Sequence, residues 1–320
     1  MTGTGKQNAI EFHINEQPSI ETETFSNTYE FVQHVLHKFP YEIAASLAND
    51  LDVLDLGCNV GYGTYAVSRS ARSIIGIDVS EKVINDARNS YQAENLSFSS
   101  FDGTTLPFPD ESFDLVISFQ VIEHIEDCER YLSEVSRVLK RHGIFFATTP
   151  NATLRLDIGM KPWYKFHVRE YRPDELSALI KRHFPKTEIF GLHATPSLYA
   201  VEHDRVTAIR NSQRRRSGRD RLKSAIRSCI PEFILKYLRR RSTVERCTAT
   251  CEGDVYFGMR DERVNYTRDR LDHALDLLAV CGKDGVALSD YTPQILKSAA
   301  ASEILRAPWS ISPSADGLPL

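Results

Sequence analysis

The apolar positions of this chain change period several times. Between Thr28 and Asn49, the run YEFVQHVLHKFPYEIAASLA repeats its apolar residues at three- and four-residue intervals. That spacing predicts one or two amphipathic helices, interrupted at Pro40. From Val53 the pattern turns into short apolar runs: VLDLG (53–57), SIIGIDVS (73–80), SFSSFD (97–102), FDLVISF (113–119) and GIFFATTP (143–150). Runs of this kind predict strands buried on both faces of a parallel sheet. Helical patterns lie between them, most plainly in DCERYLSEVSRVLKRHG. There Tyr131, Leu132, Val135, Val138 and Leu139 share a face, basic residues crowd the last turn, and Gly143 is the expected stop. Strands and helices in alternation predict an α/β fold, a doubly wound, mostly parallel sheet with helices on both faces.

After Pro150 the rhythm loosens. A polar, aromatic-rich connection, NATLRLDIGMKPWYKFHVREY, leads to a helix, PDELSALIKRHF, and a strand, TEIFGLHAT (187–195). Within RLDHALDLLAVCGK (270–283), LDLLAVC reads as a last strand returning to the sheet, which makes 205–270 an insertion. The expected organisation is a polar tail (1–25), a core (26–204), a basic helical insertion or lid (205–270), the returning strand (271–284) and a C-terminal tail (285–320). One short helix is expected near 294–306.

Composition narrows the classes. With 42% hydrophobic and 26% charged residues, the chain is neither disordered nor fibrous. No run reaches the ~18 to 20 apolar residues that span a bilayer, and the first residues lack the apolar stretch of a secretory leader. Cys58, Cys128, Cys229, Cys247, Cys251 and Cys281 are scattered, and only Cys247 and Cys251 lie close, at CxxxC spacing. That is neither a disulfide framework nor a zinc pattern, so a reducing, cytoplasmic setting is expected. The net charge of −4 conceals an asymmetry: residues 205–246 hold 14 Arg or Lys against three acids, leaving 25 basic and 40 acidic residues elsewhere. An acidic body with a basic segment points to contact with something anionic.

The strongest chemical signal is VLDLGCNVGYGTYAVS. A buried strand ends at Gly57, a turn follows with Gly61 and Gly63, and a helix begins. Glycines there let a ligand approach the backbone, and open α/β sheets bind ligands beyond the carboxyl ends of their strands. The spacing is GxxxGxG, unlike the GxGxxG of dinucleotide binders. Asp55, inside the motif, repels phosphate and suits a ligand with an ammonium or sulfonium cation. The second strand ends in Asp78, placed to take both hydroxyls of a ribose, and the third in Asp102 and Gly103, placed to read an adenine edge. A cation, a ribose and an adenine together describe S-adenosylmethionine.

The stretch 53–150 resembles the class I S-adenosylmethionine-dependent methyltransferases, in particular the small-molecule, type 11-like branch. The motifs that carry the resemblance are LDLGCNVGYG, GIDVS and LPFPDESFDLVISFQVIEH. One departure is Asn59, where the family usually has Gly; Asn tolerates left-handed conformations. The resemblance implies a Rossmann-like sheet of seven strands. It implies that Asp55, Gly57, Cys58, Gly61 and Gly63 cradle the methionine part, that Asp78 and Val79 flank the ribose, and that Asp102 and Gly103 meet the adenine. Phe119 and Gln120 would line the path to the methyl group, and Tyr29 would close over the cofactor.

Methyl transfer to a hydroxyl needs a proton acceptor. His124 and His167 are the candidates, with Glu123 as orienting partner. The small-RNA 2′-O-methyltransferases place ExxEH and further histidines at similar positions and bind a divalent cation. Here Gln120 replaces the first carboxylate, and amides are weak ligands, so no metal is expected. The connection after TTPN and the basic insertion resemble methyltransferases of surface-polysaccharide and glycolipid assembly. The expected function is therefore O-methylation of a sugar hydroxyl of a glycan or glycolipid precursor. RNA 2′-O-methylation and a cofactor-binding scaffold without turnover are the alternatives. Residues 205–246, including the amphipathic IPEFILKYLRRR, read as a lid, as a packing element, or as a contact with an anionic membrane surface from the cytoplasmic side. Nucleic acid is disfavoured because aromatics are not interleaved with the arginines.

Overall fold

One mixed sheet of nine strands organises the described residues of this computed structural model: Phe25, 27–227, Met259 and 261–306, with side chains described outside 216–227 and 306. The strands are β1 (Asp52–Leu56), β2 (Ser73–Asp78), β3 (Leu96–Ser100), β4 (Phe113–Phe119), β5 (Leu139–Pro150), β6 (Lys186–Ala194), β7 (Arg263–Thr267), β8 (Asp276–Gly282) and β9 (Ala299–Ala300). Their order is β3-β2-β1-β4-β5-β8-β6-β7-β9. β1 to β5 pair in parallel. β8 runs antiparallel between β5 and β6, β7 lies antiparallel on the far side of β6, and β9 pairs with β7. The chain winds outward from β1 to β3, then restarts at β4 on the other side of β1. That reversal is where an open α/β sheet opens a crevice for a ligand.

Helices cover both faces, as the unbroken apolar runs require. On one face, Val53, Ile117 and Phe146 pack with α1 (Thr28–Leu47), α2 (Tyr62–Ser68) and α3 (Glu81–Ser90). On the other, Leu54, Val116 and Phe145 pack with α4 (Cys128–Val138) and the helix Pro173–Ile180. Side-chain caps start the helices: Asn27 Oδ1 accepts from Glu30 N, Ser80 Oγ from Val83 N and Asp127 Oδ1 from Arg130 N.

Four expectations are corrected. The sheet has nine strands, not seven, because RVNYT (263–267), inside the expected insertion, alternates buried Val264 and Tyr266 with more exposed neighbours and extends the edge beyond β6. Two-residue β9 then caps it. α4 ends at Val138, before Gly143: Leu139 pairs with Phe113, and Lys140 bonds Asp52 and Asp114 at 3.0 and 2.8 Å, so LKRHG starts β5. α1 runs unbroken through Pro40, its Phe31, Val35, Phe39 and Ile43 held in the core. The helix expected near 294–306 is two short ones, Thr292–Ile295 and Ala301–Arg306, with β9 between.

The basic segment begins in mid-helix. α5, as we label Pro196–Arg227, crosses position 205 without a break, buries Leu198 and Val206, and docks on the body through Arg210 to the Leu154 carbonyl (3.0 Å) and Arg214 to Asp157. IPEFILKYLRRR, Cys247 and Cys251, the tail 1–24 and residues 307–320 lie outside the described residues. Among the described residues, no helix is long and apolar enough to cross a membrane.

α2 sits on α1 through Gly63, where a Cβ would lie 2.2 Å from the Tyr41 ring. Gly63→Ala should therefore lower unfolding stability by about 1–3 kcal/mol in a urea titration, the usual cost of overpacking. An unchanged midpoint would contradict this docking of α2 on α1.

Candidate cofactor and acceptor site

The bend after β1 is built from left-handed residues. Gly57 (φ +86°), Asn59 (+48°) and Gly61 (+84°) turn the chain sharply, and Asn59 takes the conformation expected of it. Gly57 N and Cys58 N donate to the Ile77 carbonyl at 2.8 and 3.0 Å, folding the bend against β2. A Cβ on Gly57 would meet Val121 at 2.4 Å, and one on Gly61 would meet Phe98 at 2.8 Å, so neither bend tolerates a side chain on steric grounds either. Cys58 is buried against Gly76, and burial pushes its thiol up.

Two carboxylates flank the bend. Asp55 is fully buried; the Thr64 hydroxyl donates to its Oδ2 at 2.7 Å, while its Oδ1 has no hydrogen-bond partner among the described residues. Burial pushes this carboxyl up to about 7; Asp78 adds to the rise, and the Thr64 and Tyr41 hydroxyls oppose it. Asp78 ends β2 and accepts from Asn59 N (3.2 Å) and Ser80 N (3.0 Å). Burial holds it above the usual carboxylate range despite those bonds.

Val79 is 41% exposed, unusual for a valine, and lies 3.0 Å from where a Cβ of Gly103 would be. Beside it, exposed Asp102 accepts from Thr104 N and Thr105 N, and these bonds hold its pKa down. The predicted adenine and ribose residues are thus brought together at the ends of β2 and β3.

At the end of β4, the Phe119 ring packs edge-on against Tyr41 with centroids 4.8 Å apart. Gln120 follows with φ +59°, a strained value for this residue type. Its amide donates to Asp276 Oδ2 (3.2 Å) and Thr148 Oγ1 (3.3 Å), so it lies along the sheet edge toward β8. Tyr29, in the first turn of α1, has the Arg205 guanidinium 5.0 Å from its ring; Arg205 pairs in turn with Glu202.

The three predicted catalytic residues converge. Ile122–His124 forms one 3-10 turn after β4, and residues 166–169 fold onto it. Val168 N and Arg169 N donate to the Glu123 carbonyl at 2.8 and 3.2 Å, and His124 Nδ1 donates to the Phe166 carbonyl at 3.0 Å. His124 and His167 are 4.8 Å apart between ring centres. The Glu123 carboxyl is buried, takes a 3.0 Å bond from the Thr149 hydroxyl, and is pushed by burial up to about 8. Glu123, His124 and His167 each offer an atom within 4.8 Å of the others, a set able to hold a metal ion.

Sequence reasoning missed the groups that support this cluster. Glu170 is buried, binds His167 Nδ1 (2.8 Å) and Arg155 Nε (2.9 Å), and has a pKa below its ordinary value: burial raises it, but His167 and Arg155 outweigh that. Arg155 stacks on Trp163 at 4.4 Å. Asp276 is pushed by burial up to about 7. The sequence carried no signal for Asp276: β8 is antiparallel, so its first residue, not its last, reaches the ligand edge.

A reversed α/β sheet with a glycine bend and strand-end acids at the reversal is the kind of crevice in which open α/β folds bind nucleotide-like ligands. The methyltransferase-domain family matches residues 54–147. That stretch is similar to methyltransferase domains, and the cofactor the match implies is S-adenosylmethionine. The unpartnered Asp55 Oδ1 and the side-chain-free bend fit a cofactor whose amino acid end is cationic. A Mycobacterium tuberculosis protein named probable S-adenosylmethionine-dependent methyltransferase is 35% identical over 163 residues, 51% of this chain and 59% of that one. The match therefore spans less than two thirds of that relative. The ubiquinone biosynthesis O-methyltransferase of Pelagibacter ubique is 26% identical over 166 residues, 47% of this chain and 68% of that one. Among solved structures, the YcgJ protein of Bacillus subtilis is similar over 78% of this chain and 100% of that one, at 19% identity and a TM-score of 0.43.

The raised carboxyls give a signed pH dependence. Asp55, Asp276 and Glu123 ionise at about 7, 7 and 8 when folded, against roughly 4 when unfolded. The folded chain therefore holds protons that the unfolded chain has lost. The stability these groups contribute is complete below the unfolded pKa and disappears as pH rises through 7 to 8. His37, held near 4 by burial, is neutral throughout that upper window, and Lys38, lowered to about 8, begins to lose its charge at its upper edge. In chelator-treated, cofactor-free protein, these groups should lower the melting temperature progressively from about pH 5 to about pH 8, where the fall levels off. Glu123→Gln should make the fall shallower, and an unaltered slope would show that Glu123 ionises normally.

Proposed function

We propose that this chain is an S-adenosylmethionine-dependent O-methyltransferase whose acceptor is a sugar hydroxyl of a glycan or glycolipid precursor. The observation that carries the proposal is a contact: Val121 packs on the Gly57 bend, and Glu123 and His124 follow directly, joined by His167. A bend fit for the cofactor and a cluster fit to take a proton thus share one edge of the sheet.

When bound, S-adenosylmethionine supplies an electrophilic methyl group on a sulfonium. Asp55, Gly57, Cys58, Gly61 and Gly63 would hold its methionine part. Asp78 and Val79 would flank the ribose, and Asp102 and Gly103 would meet the adenine. Phe119 and Gln120 would border the path to the methyl group, with Tyr29 closing the rim. Much of the acceleration comes from alignment and exclusion of water.

The acceptor proton needs a base. His124 Nδ1 faces a carbonyl, which can only accept, and His167 Nδ1 faces the ionised Glu170. With Nδ1 engaged in each ring, Nε2 is the atom through which either would take the acceptor's proton. The Pelagibacter relative is named an O-methyltransferase, which agrees in reaction type. Packing on the acidic body accounts for Arg210 and Arg214; contact with an anionic membrane surface is assigned to the basic residues that follow.

The test separates binding from turnover. Asp78→Ala should weaken S-adenosylhomocysteine binding by roughly tenfold or more in calorimetry, the loss of a charge-assisted hydrogen bond. His167→Ala should bind it as wild type does, but release it with glycan precursors about 10²–10⁴-fold more slowly. Release with RNA instead would favour 2′-O-methylation, and binding without turnover on either substrate would favour a scaffold.

A further inference from the structure

The first residue of β8 is an acid set at the ligand edge of the sheet. Asp276 pairs in register with Pro150, and by strand alternation its side chain projects to the face where Leu278 and Val280 pack with α1. Its Oδ2 takes the Gln120 amide at 3.2 Å, while Oδ1 takes no hydrogen bond from any described residue. Asp276 is only half-buried, yet it lies deep enough for burial to dominate its ionisation, as befits a group that lines a recess.

Two further polar groups on this side of the sheet stand without partners among the described residues. The Tyr266 hydroxyl, on β7, is buried and unbonded; burial raises its pKa first and Asp276 second. His37, half-buried on α1, is held near 4 by burial, with His34 and Arg205 adding to the fall. The nearby cations are already engaged. Arg205, on α5, bonds Glu202, and Gln33 Nε2 from α1 donates to the same carboxylate at 2.9 Å. Arg155 bonds Glu170 at 2.9 Å. Beyond burial, Glu202 and Glu170 raise the Asp276 pKa and the two arginines lower it, so all four face it. Two arginines matched by two glutamates leave Asp276 as the acid in excess, and an excess acid disfavours an anionic ligand.

We propose that Asp276 binds the methyl acceptor, its Oδ1 accepting a hydrogen bond from an uncharged hydroxyl held between α1 and α5, beside Gln120. This rests on the acceptor reading given above and sharpens it. The part of the acceptor seated here is neutral and bears hydroxyls, and any phosphate it carries lies elsewhere. A hydroxyl suits the place because it donates to a carboxylate and still accepts from a second group, such as the Tyr266 phenol. An analogue lacking that hydroxyl would leave a buried acceptor bare, which makes the contact selective as well as attractive. The amide bond from Gln120, on the path to the methyl group, ties this seat to the transfer path.

The experiment measures binding of a panel of methyl hexopyranosides to the full chain loaded with S-adenosylhomocysteine, by saturation-transfer NMR and calorimetry. The matching hexose 1-phosphates serve as anionic counterparts. At least one glycoside should bind, and its 1-phosphate more weakly. Asp276→Asn keeps the shape but removes the charge, and should weaken the glycoside about tenfold or more while leaving S-adenosylhomocysteine affinity unchanged. Because an ionised carboxylate is the stronger acceptor, wild-type affinity should rise between about pH 6 and 8 as Asp276, at about 7, loses its proton. Glu123, raised to about 8 by burial with Asp276 adding to the rise, titrates nearby. The pH dependence must therefore vanish in Asp276→Asn, which a merely structural role would not cause. Wild type that binds S-adenosylhomocysteine but no glycoside, a 1-phosphate that binds more tightly, or an Asp276→Asn protein that behaves as wild type overturns the proposal. Failure to bind S-adenosylhomocysteine sinks the methyltransferase reading instead, and the unloaded chain then decides the glycoside question by itself.

Discussion

Taking a carboxylate out of water costs several kcal/mol unless charges or hydrogen bonds replace the lost hydration. This chain does so repeatedly along one edge of its sheet, at Asp55, Glu123, Glu170 and Asp276. The four are not equally compensated. Glu170 has an arginine and an imidazole against it and is held below its ordinary pKa. Asp55 has the Thr64 and Tyr41 hydroxyls near it, Glu123 has one hydroxyl and one bare oxygen, Asp276 has the Gln120 amide, and all three are held well above theirs. The internally satisfied acid orients another residue, whereas the unsatisfied ones mark places where a cation, a proton or a ligand donor completes the structure. Surface pairs such as Arg72 with Asp50, screened by solvent, contribute little by comparison.

Much of the cofactor half was legible in the sequence because it is local. Strand, bend, helix and strand-end acid lie within residues 53–80, so the spacing of glycines and aspartates already places them. The positive φ of Gly57, Asn59 and Gly61 follows from residue type at a sharp turn. The acceptor half is nonlocal. His167 meets His124 only because backbone bonds fold the 160s onto the turn after β4, and nothing in the period of FHVREY announces that. Asp276 was hidden for a topological reason: strand direction, invisible in LDLLAVC, decides which end of a strand faces the ligand.

The same limit explains the errors of extent. LKRHG continues a helical pattern but extends because Lys140 finds Asp52 and Asp114, residues remote in sequence. RVNYT carries the right alternation for an edge strand but is too short to stand out beside a charge-rich neighbourhood. Pro40 breaks a helix by local rules, yet α1 continues because the apolar residues on both sides of it share one buried face.

The two halves meet at one contact. Where Gly57 lacks a side chain, Val121 fills the space, its Cγ2 2.4 Å from the position a Cβ would take. Val121 also accepts, through its carbonyl, the His124 N–H at 2.9 Å, closing the turn that aims Glu123 and His124. The bend that receives the cofactor is therefore the wall against which the acceptor cluster is braced. Gln120, one residue earlier, stays in a left-handed conformation because three bonds hold it there: its own N–H to the Thr148 carbonyl, and its amide to Thr148 and Asp276. Strain of this kind persists only where surroundings over-determine it. Here the over-determination comes from β5 and β8, the strands that carry no part of the glycine motif. Reversal of the sheet at β1 and β4 opens the crevice, while the antiparallel return of β8 fixes the geometry on its acceptor side.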